Sequence, residues 1–294
     1  MVRRLGAHVS TQGGVAEAPA RGAAIGATAI QLFTKTPNQW REPALDAAVV
    51  ARFRAELTRC EIETAVAHDS YLINLASPDE ALRNRSIRSF TAELTRCIAL
   101  GIPWVVSHPG NYMDERAAGL ERNARGYAGC LAAVPGEVGV LIEGTAGAGT
   151  ALGATFEELR ALRDALPETA RARVGFCLDT AHLHAAGYDV VGAIEGVWEE
   201  FDRVIGLAHL KCLHLNDSKA ARGSRLDRHE WIAEGRIGAD AFRQIMGDAR
   251  FREVIKIIET PKLDDPIRHD RRMLRRLRAY GRSSERSAST VGEA

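Results

Sequence analysis

The stretch from Leu213 to Gly238 reads LHLNDSKAARGSRLDRHEWIAEGRIG. It opens on the end of an apolar run, with His214 where a buried strand would surface. It turns through Asn216, Asp217 and Ser218, then crosses a polar, arginine-bearing loop to Asp227, Arg228 and His229. In extended backbone, residues two apart point the same way, so Asp227 and His229 can face one point. A carboxylate and an imidazole converging there, with a further histidine shortly before, form a divalent-metal signal. An isolated Asp-x-His would be no more than a solvated polar loop. The rest of the chain decides against that reading.

Outward from this stretch, short β-like runs alternate with longer Ala-, Leu-, Arg- and Glu-rich segments at helical period. The runs are Leu5–Val9, Ala29–Phe33, Thr64–His68, Trp104–His108, Gly139–Glu143, Val174–Asp179, Leu207–Leu215 and Val254–Glu259. Candidate helices lie near 14–25, 45–60, 79–100, 116–133, 155–165, 189–203, 239–248 and 266–279. Strand and helix alternating eight times is the pattern of a single-domain α/β chain, a (β/α)8 TIM barrel. Continuous apolar strands suit a parallel sheet buried on both faces. A doubly wound open sheet is the runner-up. It would carry a glycine-rich phosphate turn after its first strand, and Gly6-Ala7-His8-Val9-Ser10 is not one. The barrel is expected over residues 1–280, with the small, polar stretch 281–294 a disordered tail. The densely basic Arg268–Arg278 segment reads as a helix with a solvated arginine face.

In such a barrel the chemistry sits at the C-terminal ends of the strands. Six ends carry a metal-ligand residue type: His68 in VAHD, His108 in VSHP, Glu143 in LIEG, Asp179 in CLDT, His214 in CLHL and Glu259 in IIET. Each alone is better explained as a hydrogen-bonded core residue or half of a buried ion pair. Together they are not, because an ion-pair network needs cations and these ends supply almost none. Histidine, aspartate and glutamate without cysteine is the ligand set of hydrolytic zinc or manganese sites. With His182, three residues after Asp179, and with Asp227 and His229, the set reaches nine. Nine ligands are too many for one tetrahedral ion and fit about three zinc ions if a carboxylate bridges two of them. The ions would outweigh the carboxylates Glu143, Asp179, Asp227 and Glu259, leaving a positive pocket suited to an anionic phosphodiester. The chemistry read from the residues is metal-assisted phosphoester hydrolysis.

Composition sets the wider bounds. A length of 294 residues, 46% hydrophobic and 26% charged, is that of an ordinary globular chain with a sizeable core. The formal net charge of +1 argues mildly against a broad basic surface. Cys60, Cys97, Cys130, Cys177 and Cys212 are scattered with no CxxC, so they read as free thiols in a reducing compartment. The N-terminal MVRRLGAHVS holds no apolar stretch of signal-peptide length, and no membrane-spanning run occurs. The expected location is the cytoplasm, with no membrane partner.

The chain resembles endonuclease IV, the zinc-dependent apurinic/apyrimidinic endonucleases of base-excision repair. The likeness runs from Gly6-Ala7-His8-Val9-Ser10 to Glu259-Thr260-Pro261. It rests on His68-Asp69-Ser70-Tyr71-Leu72-Ile73-Asn74-Leu75, Cys177-Leu178-Asp179-Thr180-Ala181-His182, Asn216-Asp217-Ser218-Lys219, Gly223-Ser224-Arg225 and Asp227-Arg228-His229-Glu230. The resemblance implies a TIM barrel with three zinc ions. One is held by His68, His108 and Glu143; a second by Glu143 as bridge with Asp179, His214 and Glu259; the third by His182, Asp227 and His229. Glu143, Asp179 and Glu259 are then the catalytic carboxylates, and manganese can stand at one position. The implied partner is duplex DNA carrying abasic sites or blocked 3′ ends. The implied reaction is hydrolysis 5′ to the abasic site, leaving a 3′-hydroxyl and a 5′-deoxyribose phosphate, with 3′-end trimming. Extrusion of a nucleotide is cheapest where no base is paired or stacked.

Tyr71 and Leu72 match the loop that fills the gap left in the duplex, as an aromatic and an aliphatic wedge would. Core packing is the competing account of that pair. Asn38 and Arg228 are the other expected DNA contacts. Asn38, in Thr36-Pro37-Asn38-Gln39-Trp40, stands where the family often has an arginine. Trp231 replaces a small polar residue and Arg236 a histidine, so the loop's DNA contacts are expected to differ. Gly147-Ala148-Gly149 lacks the family's glutamine and reads as a flexible turn. Three rivals compete with this reading. A sugar isomerase or epimerase on the same barrel leaves His182, Asp227 and His229 without work. A non-cutting damage-binding protein fits poorly with an intact ligand set. A Schiff-base lyase could draw on Lys35, Lys211, Lys219, Lys256 or Lys262 but needs no metal. A monomer is expected, since no apolar patch at helical spacing stands out.

Overall fold

The computed structural model describes residues 4–291. Eight strands build one sheet: β1 (Leu5–His8), β2 (Ala29–Leu32), β3 (Thr64–His68), β4 (Trp104–Ser107), β5 (Gly139–Glu143), β6 (Val174–Asp179), β7 (Leu210–His214) and β10 (Ile255–Ile258). Each pairs in parallel with the next, and β10 pairs with both β7 and β1, so the sheet closes into a barrel. The open-sheet alternative is excluded. A small antiparallel pair, β8 (Asp217–Ser218) with β9 (His229–Glu230), lies in the long connection after β7.

Alternation along the strands sorts the residues into layers. Ala29, Val66, Val106, Leu141, Cys177, Cys212, Ile255 and Ile257 form a separate buried apolar cluster, one or two from each of seven strands. This is the plug inside the barrel. From the eighth strand comes Gly6, where an added Cβ would lie 1.5 Å from the Ala29 carbonyl oxygen, so only glycine fits. Two residues further along each strand, on the same inward face, stand His8, Gln31, His68, His108, Glu143, Asp179, His214 and Glu259. One pleat thus separates an apolar plug from a polar upper layer. Placing ionisable groups above a sealed, dry floor makes their mutual electrostatics strong.

The opposite faces of the strands, with residues such as Ile30, Ala65, Val105 and Phe176, pack against the surrounding helices in the main core. These include α2 (Ala47–Arg59), α3 (Glu80–Leu100), α4 (Arg116–Ala133), α5 (Phe156–Asp164), α8 (Ile194–Val204), α9 (Ala239–Gly247) and α10 (Pro266–Val291), after the short α1 (Ala18–Ala24). Phe53, Phe90, Tyr127 and Phe201 are wholly buried there, each worth about 1.5–3 kcal/mol of transfer free energy. Side-chain caps start the helices where the sequence supplies them. Asp46 accepts from Ala48 N, Asp79 from Ala81 N and Leu82 N, and Thr155 from Glu158 N, each worth about 1 kcal/mol.

Three features depart from the sequence reading. The helix expected near 189–203 begins only at Ile194, because Asp189 accepts from Gly192 N and closes a turn first. Two short helices, α6 (Glu168–Arg171) and α7 (Thr180–Ala186), precede it. The last helix continues to Val291, past residue 281 where a disordered tail is expected; the end of that expected tail, 292–294, lies outside the described residues. After Pro266 the helical segment contains no proline, and Gly281 costs only about 1 kcal/mol in a helix. Among the described residues no helix is long and apolar enough to cross a membrane.

Candidate metal centre

The nine expected ligand residues meet at the mouth of the barrel in three overlapping groups. In the first, His68 Nε2 and His108 Nε2 lie 3.4 and 3.5 Å from Glu143 Oε2. In the second, His214 Nδ1 faces Glu143 Oε1 at 3.1 Å, Glu259 Oε2 at 3.4 Å and Asp179 Oδ2 at 3.9 Å. In the third, His182 Nε2 is 3.3 Å from Asp227 Oδ2, and His229 Nε2 is 3.0 Å from Asp227 Oδ1 and 3.5 Å from Asp179 Oδ2. Glu143 sends one oxygen to each of the first two groups, and Asp179 Oδ2 stands between the second and third.

Local structure explains these positions. Asp179 caps α7: its Oδ1 accepts from Ala181 N at 2.6 Å and His182 N at 3.2 Å, leaving Oδ2 for the site. That helical turn carries His182 back over the barrel mouth. Asp227 and His229 arrive on the loop that β8 and β9 pin. The Asp217 carboxylate accepts from Ser218 N, Ile237 N and Gly238 N and so ties the loop's two ends together. Gly235 has to be glycine there, since a Cβ would sit 2.5 Å from Asp217 Oδ1 and from the Ser218 carbonyl.

The donor chemistry fits divalent cations. His68 Nδ1 is bonded to the Asp69 carbonyl at 2.9 Å, His182 Nδ1 to the Gly144 carbonyl at 2.9 Å and His229 Nδ1 to the Glu259 carbonyl at 3.3 Å. A carbonyl only accepts, so each of these nitrogens carries a proton, and in the neutral imidazole the other ring nitrogen would present its lone pair on the side of the carboxylates. Glu143 Oε2 and His229 Nε2 are buried with no hydrogen-bond partner. Glu143 Oε2 faces His68 Nε2 and His108 Nε2, and His229 Nε2 faces Asp227 Oδ1 and Asp179 Oδ2; buried atoms so opposed are costly unless a proton or cation lies between them. Ring nitrogens oriented by a backbone carbonyl on the far side are the usual support of metal-binding histidines.

Electrostatics point the same way. Burial would raise Glu143, but the neighbouring His214 and His108, with His182, hold it well below the usual carboxylate range. Burial would lower His68; the Glu143 carboxylate outweighs it and lifts the imidazole to about 9. His229 is also at about 9, with burial opposed by Asp179 and Asp227. These imidazoles hold protons where cations would compete for them.

Around the groups lies a cavity of about 510 Å³ lined by His8, Phe33, Tyr71, Lys219, Arg228 and Lys262 together with His68, His108, His182, Asp227, His229 and Glu259. Tyr71 is 70% exposed at its rim, with its ring edge-on to Phe33 at 5.2 Å. That exposure excludes core packing for Tyr71. Leu72 is half-buried, and Asn38 is exposed on the neighbouring turn; neither lines this cavity. Ser70 donates to the Pro37 carbonyl at 2.5 Å, holding the two loops together. Arg228 is exposed at the mouth. Trp231 and Arg236 face elsewhere: the indole nitrogen donates to the Pro261 carbonyl, and the Arg236 guanidinium to the Lys219 carbonyl, both at 2.9 Å.

Three residues of the site are given no role by the sequence reading. Gln31 Nε2 donates to Glu259 Oε1 at 2.6 Å and its Oε1 lies 2.8 Å from His214 Nε2. His8 Nδ1 is 3.2 Å from Glu259 Oε1. Asn216 donates to Asp179 Oδ2 and accepts from Glu259 N, both at 2.7 Å. The signal for the first two is the inward period of two: His8 and Gln31 are register partners at the ends of β1 and β2.

Known proteins resemble this chain in sequence and in fold. Residues 19–277 match the family described as xylose isomerase-like TIM barrel. The probable endonuclease 4 of Chloroflexus aggregans is 45% identical over 283 residues, covering 95% of this chain and 98% of that one. Its counterpart in Geobacter sulfurreducens is 46% identical over 268 residues, covering 89% of each. The crystal structure of endonuclease IV from Thermus thermophilus superposes with a TM-score of 0.83 at 36% identity, covering 94% of this chain and 98% of that one. An L-ribulose 3-epimerase structure at 16% identity and a TM-score of 0.72 shares the fold alone. With the barrel, the motifs and relatives matched from end to end, the chain belongs to the endonuclease IV family.

Proposed function

We propose that this chain is a metal-dependent DNA-repair endonuclease that hydrolyses the phosphodiester 5′ to an abasic site in duplex DNA. The products are a 3′-hydroxyl and a 5′-deoxyribose phosphate, and blocked 3′ ends are a second substrate. The observation that carries this reading is the completed third group. Asp227 lies 3.3 Å from His182 and 3.0 Å from His229, and these three stand beside the two groups that a sugar-converting barrel would also have use for. His68, His108 and Glu143 would hold one zinc. Glu143, Asp179, His214 and Glu259 would hold a second, and His182, Asp227 and His229 a third, with manganese acceptable at one position. Bound there, such cations ease deprotonation of water and offset charge on the phosphoryl and leaving oxygens.

The chain's own residues supply the rest. Glu143 couples two groups through its two oxygens, so its orientation sets their spacing. Arg228 and Lys219, both exposed at the rim, give positive charge for the flanking phosphates, whereas Lys262 is paired with Asp270. Tyr71, exposed at the rim with its ring edge-on to Phe33, would enter the gap left by a missing base, with Leu72 behind it in sequence and Asn38 on the adjoining turn. The five unpaired cysteines suit a reducing cytoplasm, and we read the enzyme as a monomer; light scattering at working concentration showing a dimer would overturn that.

The deciding experiment uses a duplex with one tetrahydrofuran abasic analogue, which cannot undergo β-elimination. A cut immediately 5′ to the lesion, ending in a 3′-hydroxyl and abolished by prolonged chelation, is expected. No cut by protein holding about three ions per chain would point to a binding-only protein, and no cut with one or two ions to sugar chemistry.

A further inference from the structure

We infer that Gln31, which belongs to none of the three ligand groups, is a positioning residue. It selects which nitrogen of His214 faces the carboxylates and fixes the rotamer of Glu259. The inference rests on the metal reading above. Glu259, as an ionised ligand, offers oxygens that only accept. The Gln31 atom 2.6 Å from Glu259 Oε1 must therefore be the amide nitrogen. The amide oxygen then faces His214 Nε2 at 2.8 Å, and that nitrogen must carry the proton. A neutral His214 is left with its lone pair on Nδ1, the atom aimed at Glu143, Asp179 and Glu259. The amide nitrogen also lies 3.0 Å from His8 Nδ1, so its second hydrogen has an acceptor whenever that nitrogen is unprotonated.

The other histidines supported from behind take that support from backbone carbonyls. His214 takes it from a side chain three strands away around the barrel, and Gln31 is itself fully buried. One planar amide thus serves two ligands of one ion, the imidazole through its oxygen and the carboxylate through its nitrogen. Replacing it with a carboxylate removes the donor, and replacing it with a thioether removes both functions. Losing such outer support typically costs ~10–100-fold in metal affinity.

The test compares the purified wild-type chain with Gln31→Met, which keeps the length and removes both hydrogen bonds, and Gln31→Glu, which keeps the acceptor and removes the donor. Zinc per chain is measured across a chelator series, with circular dichroism to confirm folding and ¹⁵N shifts to report the His214 tautomer. Both variants are expected to release one ion at ~10–100-fold lower chelator strength than wild type, the others being retained. Gln31→Glu keeps the Nε2-protonated tautomer of His214 and Gln31→Met does not. If Gln31→Met fails to fold, Gln31→Glu alone carries the release comparison. Wild-type release profiles in every folded variant overturn the role of Gln31 while leaving the metal centre intact. A wild-type chain that binds no zinc overturns the metal reading and this inference together.

Discussion

At the scale of single residues, Glu143 and Tyr71 carry opposite kinds of prediction. Glu143 is wholly buried and its carboxylate is shared between two ligand groups, so Glu143→Gln removes a charge facing four histidines without changing shape. Charge stabilisation of several kcal/mol is at stake in such a site, equivalent to a loss of about a thousandfold or more in turnover. The check is single-turnover cutting of the tetrahydrofuran duplex by folded protein, and near-normal rates would sink the shared-ligand scheme. Tyr71 is 70% exposed, so Tyr71→Ala should leave thermal stability within about 0.5 kcal/mol. Its effect belongs to binding: contact of an aromatic ring with bases is worth about 1–3 kcal/mol. Titration with lesion-bearing and intact duplexes should show weakening by about tenfold for the lesion alone. Equal weakening on both would assign Tyr71 to general contact.

At the scale of elements, the loop carrying Asp227 and His229 depends on a brace that lies far away in sequence. Trp231 stacks on His269 of α10 with centroids 4.8 Å apart and planes at 15°, and the Arg272 guanidinium lies 4.8 Å over its ring. Trp231→Ala should therefore free β9 and drop about one zinc per chain after dialysis, while the ions on strand-borne ligands stay. Metal analysis retaining all of them, with only a lower Tm, would confine Trp231 to packing. No local pattern announces this brace, because stacking between residues 231 and 269 is set by how α10 docks. The six strand-end candidate ligands are legible for the opposite reason: each ends a continuous apolar run, so a histidine or carboxylate at one offset recurs around the barrel. His8 and Gln31 obey the same offset yet do not stand out, since a histidine before Val9 and a glutamine within Ala29–Phe33 look like blemishes in short apolar runs. Asp179 is legible as a candidate ligand but not as the cap of α7, and that short helix stays hidden with it. The (β/α)8 order needs only periodicity; the loop hairpin and the outer support of the ligands need three-dimensional contact.

At the scale of the molecule, the barrel has two regions of unequal independence. Apolar burial in the plug and between strands and helices involves no candidate ligand residue, so the fold would form without bound ions. The mouth would gain from bound cations, because Glu143, Asp179, Glu259 and Asp227 crowd together with imidazoles as their nearest counter-charge. Metal removal should therefore preserve the far-ultraviolet circular dichroism and lower Tm. An ion held at about 100 times its Kd contributes about 2.7 kcal/mol, and about 2–4 °C accompanies each kcal/mol in chains approaching this size. A fall of about 5 °C or more per saturated site is expected on chelation, recovered on adding zinc. Acid should act in the same direction. The raised His68 and His229 are protonated below about 9, and those protons must leave before a cation can bind. Apparent zinc affinity should then rise with pH up to about that value, and the zinc-dependent part of Tm should shrink as pH falls. Calorimetry with and without chelator at several pH values reads both effects. A Tm indifferent to zinc at every pH, in protein shown by metal analysis to exchange it, would mean that the ligand groups are held apart by the scaffold alone.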